Sequence, residues 1–344
     1  MKIAQLAPIA ERVPPKKYGG TERVVSALTE ELVKRGHEVT LFASGDSLTK
    51  AKLESVYPRS LREAHLKDIY GINHWSLLNI GLAYELQDDF DIIHDHNAPI
   101  SLPAANIAST PVVVTMHNAF NADNRKIFQT LRNPHIVTIS QSQLYPVPNI
   151  NHAGTVYNGL DMKHYPFSDE NEGYLLFVGR ISMEKGTHFA IEAAQQLDKR
   201  LIIAAKLENT DRAYFKEYVE PRLSDRIKWV GEVDEEERNK LMSKALCLLH
   251  PVTWREPFGL VLIEAMACGC PVVGFNRGSI PEIIKTGQTG YVVEDLEGMI
   301  DAVSAIDSID RALCRSHALE HFSAEKMADG YEAVYKKILT PEVE

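Results

Sequence analysis

The sequence predicts an α/β fold of two doubly wound Rossmann-like domains, each a parallel sheet wrapped by helices. Two observations predict it. Short runs rich in β-branched and aliphatic residues alternate with helical patterns of about 10–15 residues along almost the whole chain, the signature of right-handed βαβ units. The series breaks at Asn158-Gly159, a turn dipeptide, and then starts again. A length of 344 residues fits two domains at roughly 100–200 residues each.

The first series opens on a strand at Lys2–Leu6. The glycine loop Tyr18-Gly19-Gly20-Thr21 then leads into a helix over 22–35, which places Val24, Val25, Leu28, Leu32 and Val33 on one face at a spacing of three and four. Gly36 caps that helix, and strands follow at Glu38–Phe42, 91–94, 112–115, 135–139 and 155–157. The second series begins with a strand at 174–178 and a helix at 187–197. Further strands come at 201–205, 227–230, 246–250, 271–274 and Gly290–Val293. A last helix over 324–337 carries Met327, Tyr331, Val334 and Tyr335 on one face and needs a surface to pack on. The domains so defined are 1–158, joined by the C-terminal helix at 324–344, and 159–323. Ligands of such sheets bind beyond the carboxyl ends of the strands, so two facing domains imply a central cleft lined by both sets of ends.

Composition narrows the function. With 44% apolar and 24% charged residues the chain reads as an ordinary globular protein. A net charge of −10 disfavours nucleic acid and anionic membranes as partners, and an anionic substrate then needs a local basic patch. Cys247, Cys268, Cys270 and Cys314 show no metal-ligand spacing and read as buried thiols in a reducing compartment. The start, MKIAQLAP, is too short an apolar run for a signal-peptide core, and no stretch approaches the ~20 apolar residues of a membrane span. The expectation is a cytoplasmic protein.

The most informative stretch runs from Arg255 to Ala265. Pro257 and Gly259 suit a helix entry, and the backbone amides of Phe258, Gly259 and Leu260 would sit at the positive end of that helix, a place for phosphate or sugar oxygens. Glu256 precedes the entry and can accept from sugar hydroxyls; Glu264 lies about one turn in, placed for the paired hydroxyls of a ribose. The plainer reading is an acidic first turn, but two glutamates flanking Pro-Phe-Gly in an apolar helix favour the site. In Val178-Gly179-Arg180-Ile181-Ser182-Met183-Glu184-Lys185-Gly186, Arg180 and Lys185 are two cations on one loop, suited to clamp a diphosphate as leaving group. Alone they would read as solvated loop charges. Gly19 and Gly20 let amides approach an anion, but the motif is not GxGxxG and argues against a dinucleotide oxidoreductase. His117, beyond a strand end and followed by Asn118, is a candidate for the reacting centre, although a lone histidine is more often structural. Asp95 and His96, at another strand end, are acceptor-side candidates with Asn118. His94-Asp95-His96 offers two ligands on one face without an obvious third, so no metal is expected.

These residues resemble the GT4 group of glycosyltransferases, with the GT-B fold, along nearly the whole chain. The resemblance is carried by Gly19-Gly20 with Glu22, His117, Tyr157-Asn158-Gly159-Leu160-Asp161, Gly179-Arg180 with Glu184-Lys185-Gly186, and above all Glu256-Pro257-Phe258-Gly259 to Glu264-Ala265-Met266-Ala267, which looks like the E-x7-E element of that family. It implies a retaining, metal-independent hexosyltransferase using a nucleotide diphosphate sugar, with no cofactor. UDP-glucose is the expected donor and GDP-mannose the next. By this resemblance Arg180, Lys185 and Gly20, beside Gly19, hold the diphosphate, and Glu264 holds the ribose. Glu256 and the backbone of Phe258, Gly259, Leu260 and Val261 hold the sugar, His117 lies at its reacting face, and the last helix crosses back onto the N-terminal domain. Few residues separate Gly45 from Asp91, which points to a small-molecule or oligosaccharide acceptor. Ala204-Ala205-Lys206-Leu207 lacks the glycine turn common in relatives. A basic helix at 124–132, with Arg125, Lys126 and Arg132, reads as a solvated face rather than a membrane contact. The competing readings are a GT-B phosphorylase or nucleotide-sugar epimerase, and a catalytically silent nucleotide-binding protein.

Overall fold

The computed structural model describes residues 1–340 apart from 18, 65, 67–70, 146 and 148. Tyr18, first of the glycine loop, therefore lies outside the described residues. The chain divides into two compact units, Met1–Asp161 together with Ser323–Glu344, and Met162–Phe322.

The first unit is built on seven parallel strands: β1 (Lys2–Leu6), β2 (Glu38–Phe42), β3 (Lys52–Glu54), β4 (Ile92–Asp95), β5 (Val112–Met116), β6 (His135–Thr138) and β7 (His152–Thr155). Their order is β3-β2-β1-β4-β5-β6-β7, which reverses direction at β1. The central strands are buried on both faces, as covered parallel strands must be: β4 and β5 carry no exposed residue. The second unit has β8 (Leu175–Arg180), β9 (Leu201–Lys206), β10 (Ile227–Gly231), β11 (Cys247–His250), β12 (Val272–Phe275) and β13 (Gly290–Val293), in the order β10-β9-β8-β11-β12-β13. All pairings in both sheets are parallel. Both units are therefore doubly wound, with the switch between β1 and β4 in one and between β8 and β11 in the other.

The C-terminal helix, Ala324–Leu339, belongs to the first unit. Its apolar face is the expected one, with Met327, Tyr331, Val334 and Tyr335 buried. Its polar edge is fastened by Arg35, which bonds Asp329 at 2.8 Å and Glu332 at 3.2 Å, and by His37, 2.7 Å from Glu332. Gly159 has a different reason from the turn the sequence suggests. A Cβ there would stand 2.2 Å from the Ser323 carbonyl oxygen, because Ala324 N–H donates to Leu160 C=O at 3.0 Å where the returning chain crosses.

Some local expectations shift. The strand expected at 155–157 is His152–Thr155, an edge strand whose Ala153 and Gly154 have low β-propensity and gain their extended form from pairing with β6. The helix expected at 124–132 is Ala122–Thr130, started earlier by a capping box in which Asn121 accepts from the amides of Asp123 and Asn124. Strand β3 and the helix Gly71–Glu85 carry no clear periodic pattern and emerge only in the structure. The four cysteines are free and buried. Among the described residues, no helix is long and apolar enough to cross a membrane.

Candidate active site

In the Met162–Phe322 unit, the loops after β8, β11 and β12 meet at the carboxyl ends of three neighbouring strands. Thr253 N–H donates to Glu184 C=O at 2.9 Å, tying the first loop to the second. Gly186 makes that approach possible: its φ is 71°, and a Cβ would stand 2.0 Å from the Pro251 oxygen. On the other side Ser279 N–H donates to Glu256 C=O at 3.0 Å, and Ser279 Oγ donates to Phe258 C=O at 2.8 Å. Residues 256–258 are thus held from both flanks before the helix Leu260–Ala267 begins, with Gly259 at φ 83° as its N-cap. The first-turn amides of any such helix have no partner within the helix and present its positive end.

Lys185 and Glu256 meet across these loops, Nζ to Oε2, at 2.6 Å. Trp254 Nε1–H donates to the same oxygen at 2.9 Å, and the Lys185 ammonium lies 5.0 Å from the centre of the Trp254 ring. Burial pushes the Glu256 carboxyl upward, but the Lys185 charge, helped by His250, outweighs it and holds the group at about 2. Glu256 is therefore an anion at neutral pH. His250 is itself pushed down by burial and stays neutral. Arg180 ends β8 and turns a different way from Lys185. Its Nη2 bonds Glu184, and its Nε stands 3.6 Å from Asp211 Oδ2. Among the described residues neither of those last two buried atoms has a hydrogen-bond partner.

Glu264 lies inside the helix Leu260–Ala267 and is nearly buried, its Oε1 3.1 Å from Arg238 Nη2. Arg238 comes from the neighbouring helix Glu235–Lys244 and also donates to Asn239 Oδ1. Glutamates 256 and 264 thus each carry a cation of their own. Sequence reasoning misses Arg238, Asp211 and Trp254. Of the three only Trp254 lies beside a singled-out motif, while Arg238 stands in a run that reads as a solvated helix face.

In the first unit Gly19 caps the helix Gly20–Lys34, and a Cβ at Gly19 would lie 2.7 Å from Pro15 Cβ. Glu22, one turn on, is buried, and burial, opposed by a backbone hydrogen bond, raises its carboxyl to about 7. His117 follows β5, is partly buried, and is held at about 4 by burial. Its Nε2 is 2.9 Å from His96 Nδ1. Asn118 is exposed. Asp95 is fully buried, and its oxygens take the Tyr84 hydroxyl at 2.8 Å and the Asn97 amide at 2.7 Å. Its carboxyl is raised by burial. The structure therefore joins His96 to His117 and gives Asp95 a place in the core.

Residues 162–315 match the family of glycosyl transferases group 1, and residues 18–162 match glycosyltransferase family 4. N-acetyl-alpha-D-glucosaminyl L-malate synthase of Bacillus anthracis is 26% identical over a 369-residue alignment that covers 93% of this chain and 94% of that protein. Phosphatidyl-myo-inositol mannosyltransferase of Mycobacterium tuberculosis is 26% identical over 324 residues, covering 85% and 82%. Among solved structures, AviGT4, a glycosyltransferase involved in avilamycin A biosynthesis, superposes with a TM-score of 0.76 at 24% identity over 98% of both chains. Anabaena HepE in complex with UDP and glucose gives 0.74 at 19% identity over 98% and 100%. These likenesses establish the fold as GT-B. With two adjoining family matches that together span residues 18–315, the chain belongs to glycosyltransferase family 4.

Proposed function

We propose that this protein is a retaining, metal-independent hexosyltransferase that takes its sugar from a nucleoside diphosphate sugar, with UDP-glucose as the donor and a small-molecule or oligosaccharide hydroxyl as the acceptor. The observation that carries this is the Lys185–Glu256 pair at the mouth of the helix Leu260–Ala267. A cation for phosphate and an ionised carboxylate for hydroxyls stand side by side at a positive helix end. The UDP and glucose bound by Anabaena HepE support the choice of donor.

In this reading Glu264 takes the ribose hydroxyls, and Lys185 and Arg180 take the diphosphate. Arg180 Nε, buried beside Asp211 Oδ2 at 3.6 Å but without a hydrogen-bond partner among the described residues, is a donor that a phosphate oxygen can satisfy. Glu256 accepts a sugar hydroxyl through Oε1, its Oε2 being occupied by Lys185 and Trp254. His117 acts on the transferred sugar as a neutral imidazole. The bond from the sugar C1 to the β-phosphate oxygen breaks and its electron pair leaves with the phosphate. The acceptor hydroxyl bonds to C1 on the same face and passes its proton to that departing oxygen. Positive charge on Lys185 and Arg180 stabilises the phosphate as negative charge grows. Domain roles follow: residues 159–323 bind the donor, and residues 1–158 with the C-terminal helix serve the acceptor.

The test is a thermal-shift panel of UDP, GDP and ADP with their sugars. UDP should raise the melting temperature most, and the shift should vanish in Lys185→Ala. Stabilisation by none of the three would overturn the assignment. Stabilisation without release of UDP from any sugar would make the protein a silent binder.

A further inference from the structure

Three histidine rings lie together in the first unit, His94 to His96 at 4.1 Å and His96 to His117 at 5.1 Å between centroids. His94 and His96 are buried, and burial lowers both well below the ordinary histidine range, with the neighbouring imidazoles adding to the effect. All three are therefore neutral at pH 7. A neutral imidazole has one N–H and one bare nitrogen, and the hydrogen-bond partners decide which is which.

The partners can be followed atom by atom. His96 Nε2 meets Gln5 Oε1 at 2.9 Å, and an amide oxygen only accepts, so His96 carries its proton on Nε2. Its Nδ1 is then the bare atom, and it faces His117 Nε2 at 2.9 Å, so His117 must donate from Nε2. The Gln5 amide is set from its other end, with Nε2 3.4 Å from Tyr335 Oη and 3.3 Å from His94 Nδ1. Tyr335 Oη lies 2.6 Å from His94 Nδ1, His94 Nε2 lies 2.8 Å from Thr115 Oγ1, and Thr115 lies 2.9 Å from Tyr331 Oη. With Tyr335 donating to His94, the hydroxyl keeps lone pairs for the Gln5 amide N–H, and His94 donates from Nε2 to Thr115 Oγ1. Tyr331 and Tyr335 both come from the C-terminal helix.

We infer that Gln5 and His96 are positioning residues that fix His117 as its Nε2–H tautomer, so that the ring presents a bare Nδ1 as a hydrogen-bond acceptor, and that Tyr335 sets the Gln5 amide in the orientation this requires. The inference rests on the role given to His117 above. It gives the returning C-terminal helix a part in the chemistry besides closing the core: its tyrosine hydroxyl selects which nitrogen of a distant histidine bears the proton. An acceptor at Nδ1 suits a sugar hydroxyl, which can donate, and disfavours an ether or fluoro substituent at the same place, which cannot.

Nitrogen-15 histidine NMR of the full chain, with His117 assigned by difference against His117→Ala, reads the tautomer directly. In the wild type, Nδ1 should give a pyridine-type and Nε2 a pyrrole-type shift; the reverse pattern overturns the inference. His96→Leu should mix the two His117 tautomers and cut kcat for UDP release from UDP-glucose roughly 10-fold, with the donor KM within about 2-fold. His96→Asn, whose side chain can put an acceptor where Nδ1 was, should restore both readouts. Loss of turnover in His96→Leu with an unchanged His117 tautomer would make His96 merely structural and defeat the proposal. If His117→Ala itself releases UDP at the wild-type rate, the role of His117 fails, and the tautomer shifts still judge the relay on their own.

Discussion

Lys185 Nζ and Glu256 Oε2 stand 2.6 Å apart, one from the loop after β8 and the other from the loop after β11. The cation that the sequence assigns to a diphosphate and the carboxylate it assigns to a sugar are thus a single ion pair. The pair is largely buried, with Glu256 only 8% exposed in its side chain, so each partner sets the other's cost as well as its position.

Lys185→Ala should lower turnover by ~10²-fold or more, the scale of losing a donor to a leaving group. It should also destabilise the fold by about 2–4 kcal/mol, because a buried carboxylate is left without its cation. The double variant Lys185→Ala/Glu256→Gln should recover part of the stability and none of the turnover. Urea unfolding and UDP release from UDP-glucose measure the two effects separately, and full recovery of turnover in the double variant would remove Lys185 from its role.

Glu256 also predicts a pH signature. Its folded value of about 2 lies below the ordinary 4.5, so its contribution to stability is complete above about pH 4.5 and is lost as pH falls toward 2. The stability advantage of the wild type over Glu256→Gln should shrink across that window and nowhere above it. Urea midpoints measured at several pH values check this, and an advantage that stays constant down to pH 2 would speak against the pair.

Glu264→Ala should raise the donor KM about 10-fold or more while leaving kcat within a few-fold, since ribose is held alike before and during reaction. Arg238→Ala should do the same more weakly, because it removes the 3.1 Å contact that orients Glu264. Initial-rate kinetics over a range of UDP-glucose separate the two constants; a fall in kcat alone in Glu264→Ala would contradict the ribose role.

Gly186→Ala should be severe and Gly81→Ala mild. The first forces a side chain onto a left-handed residue with its Cβ 2.0 Å from the Pro251 oxygen, and so must part the two loops. The second sits in the helix Gly71–Glu85 with nothing within 4 Å, where alanine should add roughly 0.5–1 kcal/mol. Melting temperatures with and without UDP test both: the Gly186 variant should lose the UDP shift and the Gly81 variant should keep it.

How much of this the sequence discloses follows from the range of the interactions. Strand–helix alternation is local, so both doubly wound sheets and the amphipathic face of the last helix can be read directly. Glu256 and Glu264 are legible because the motif around them is contiguous. Their partners are less so. Arg238 sits in Glu235-Glu236-Glu237-Arg238, which reads as a solvated face until the helix Leu260–Ala267 is packed against it. Gln5 lies in an otherwise ordinary buried strand, and only the alignment of β1 beside β4 brings it to His94 and His96. Gly159 shows the same limit: Asn-Gly signals a turn, while its cause is the Ser323 backbone passing beside it. Arg180, expected on the loop after the strand, is instead the last residue of β8, and its pairing with Glu184 and approach to Asp211 depend on geometry that no spacing specifies.

The most direct test of the account follows the sugar released from UDP-glucose by proton NMR, before the anomers interconvert. UDP should appear together with α-glucose as the first sugar product, and neither should form in Lys185→Ala. Formation of β-glucose first, or no UDP above the Lys185→Ala background, would contradict it.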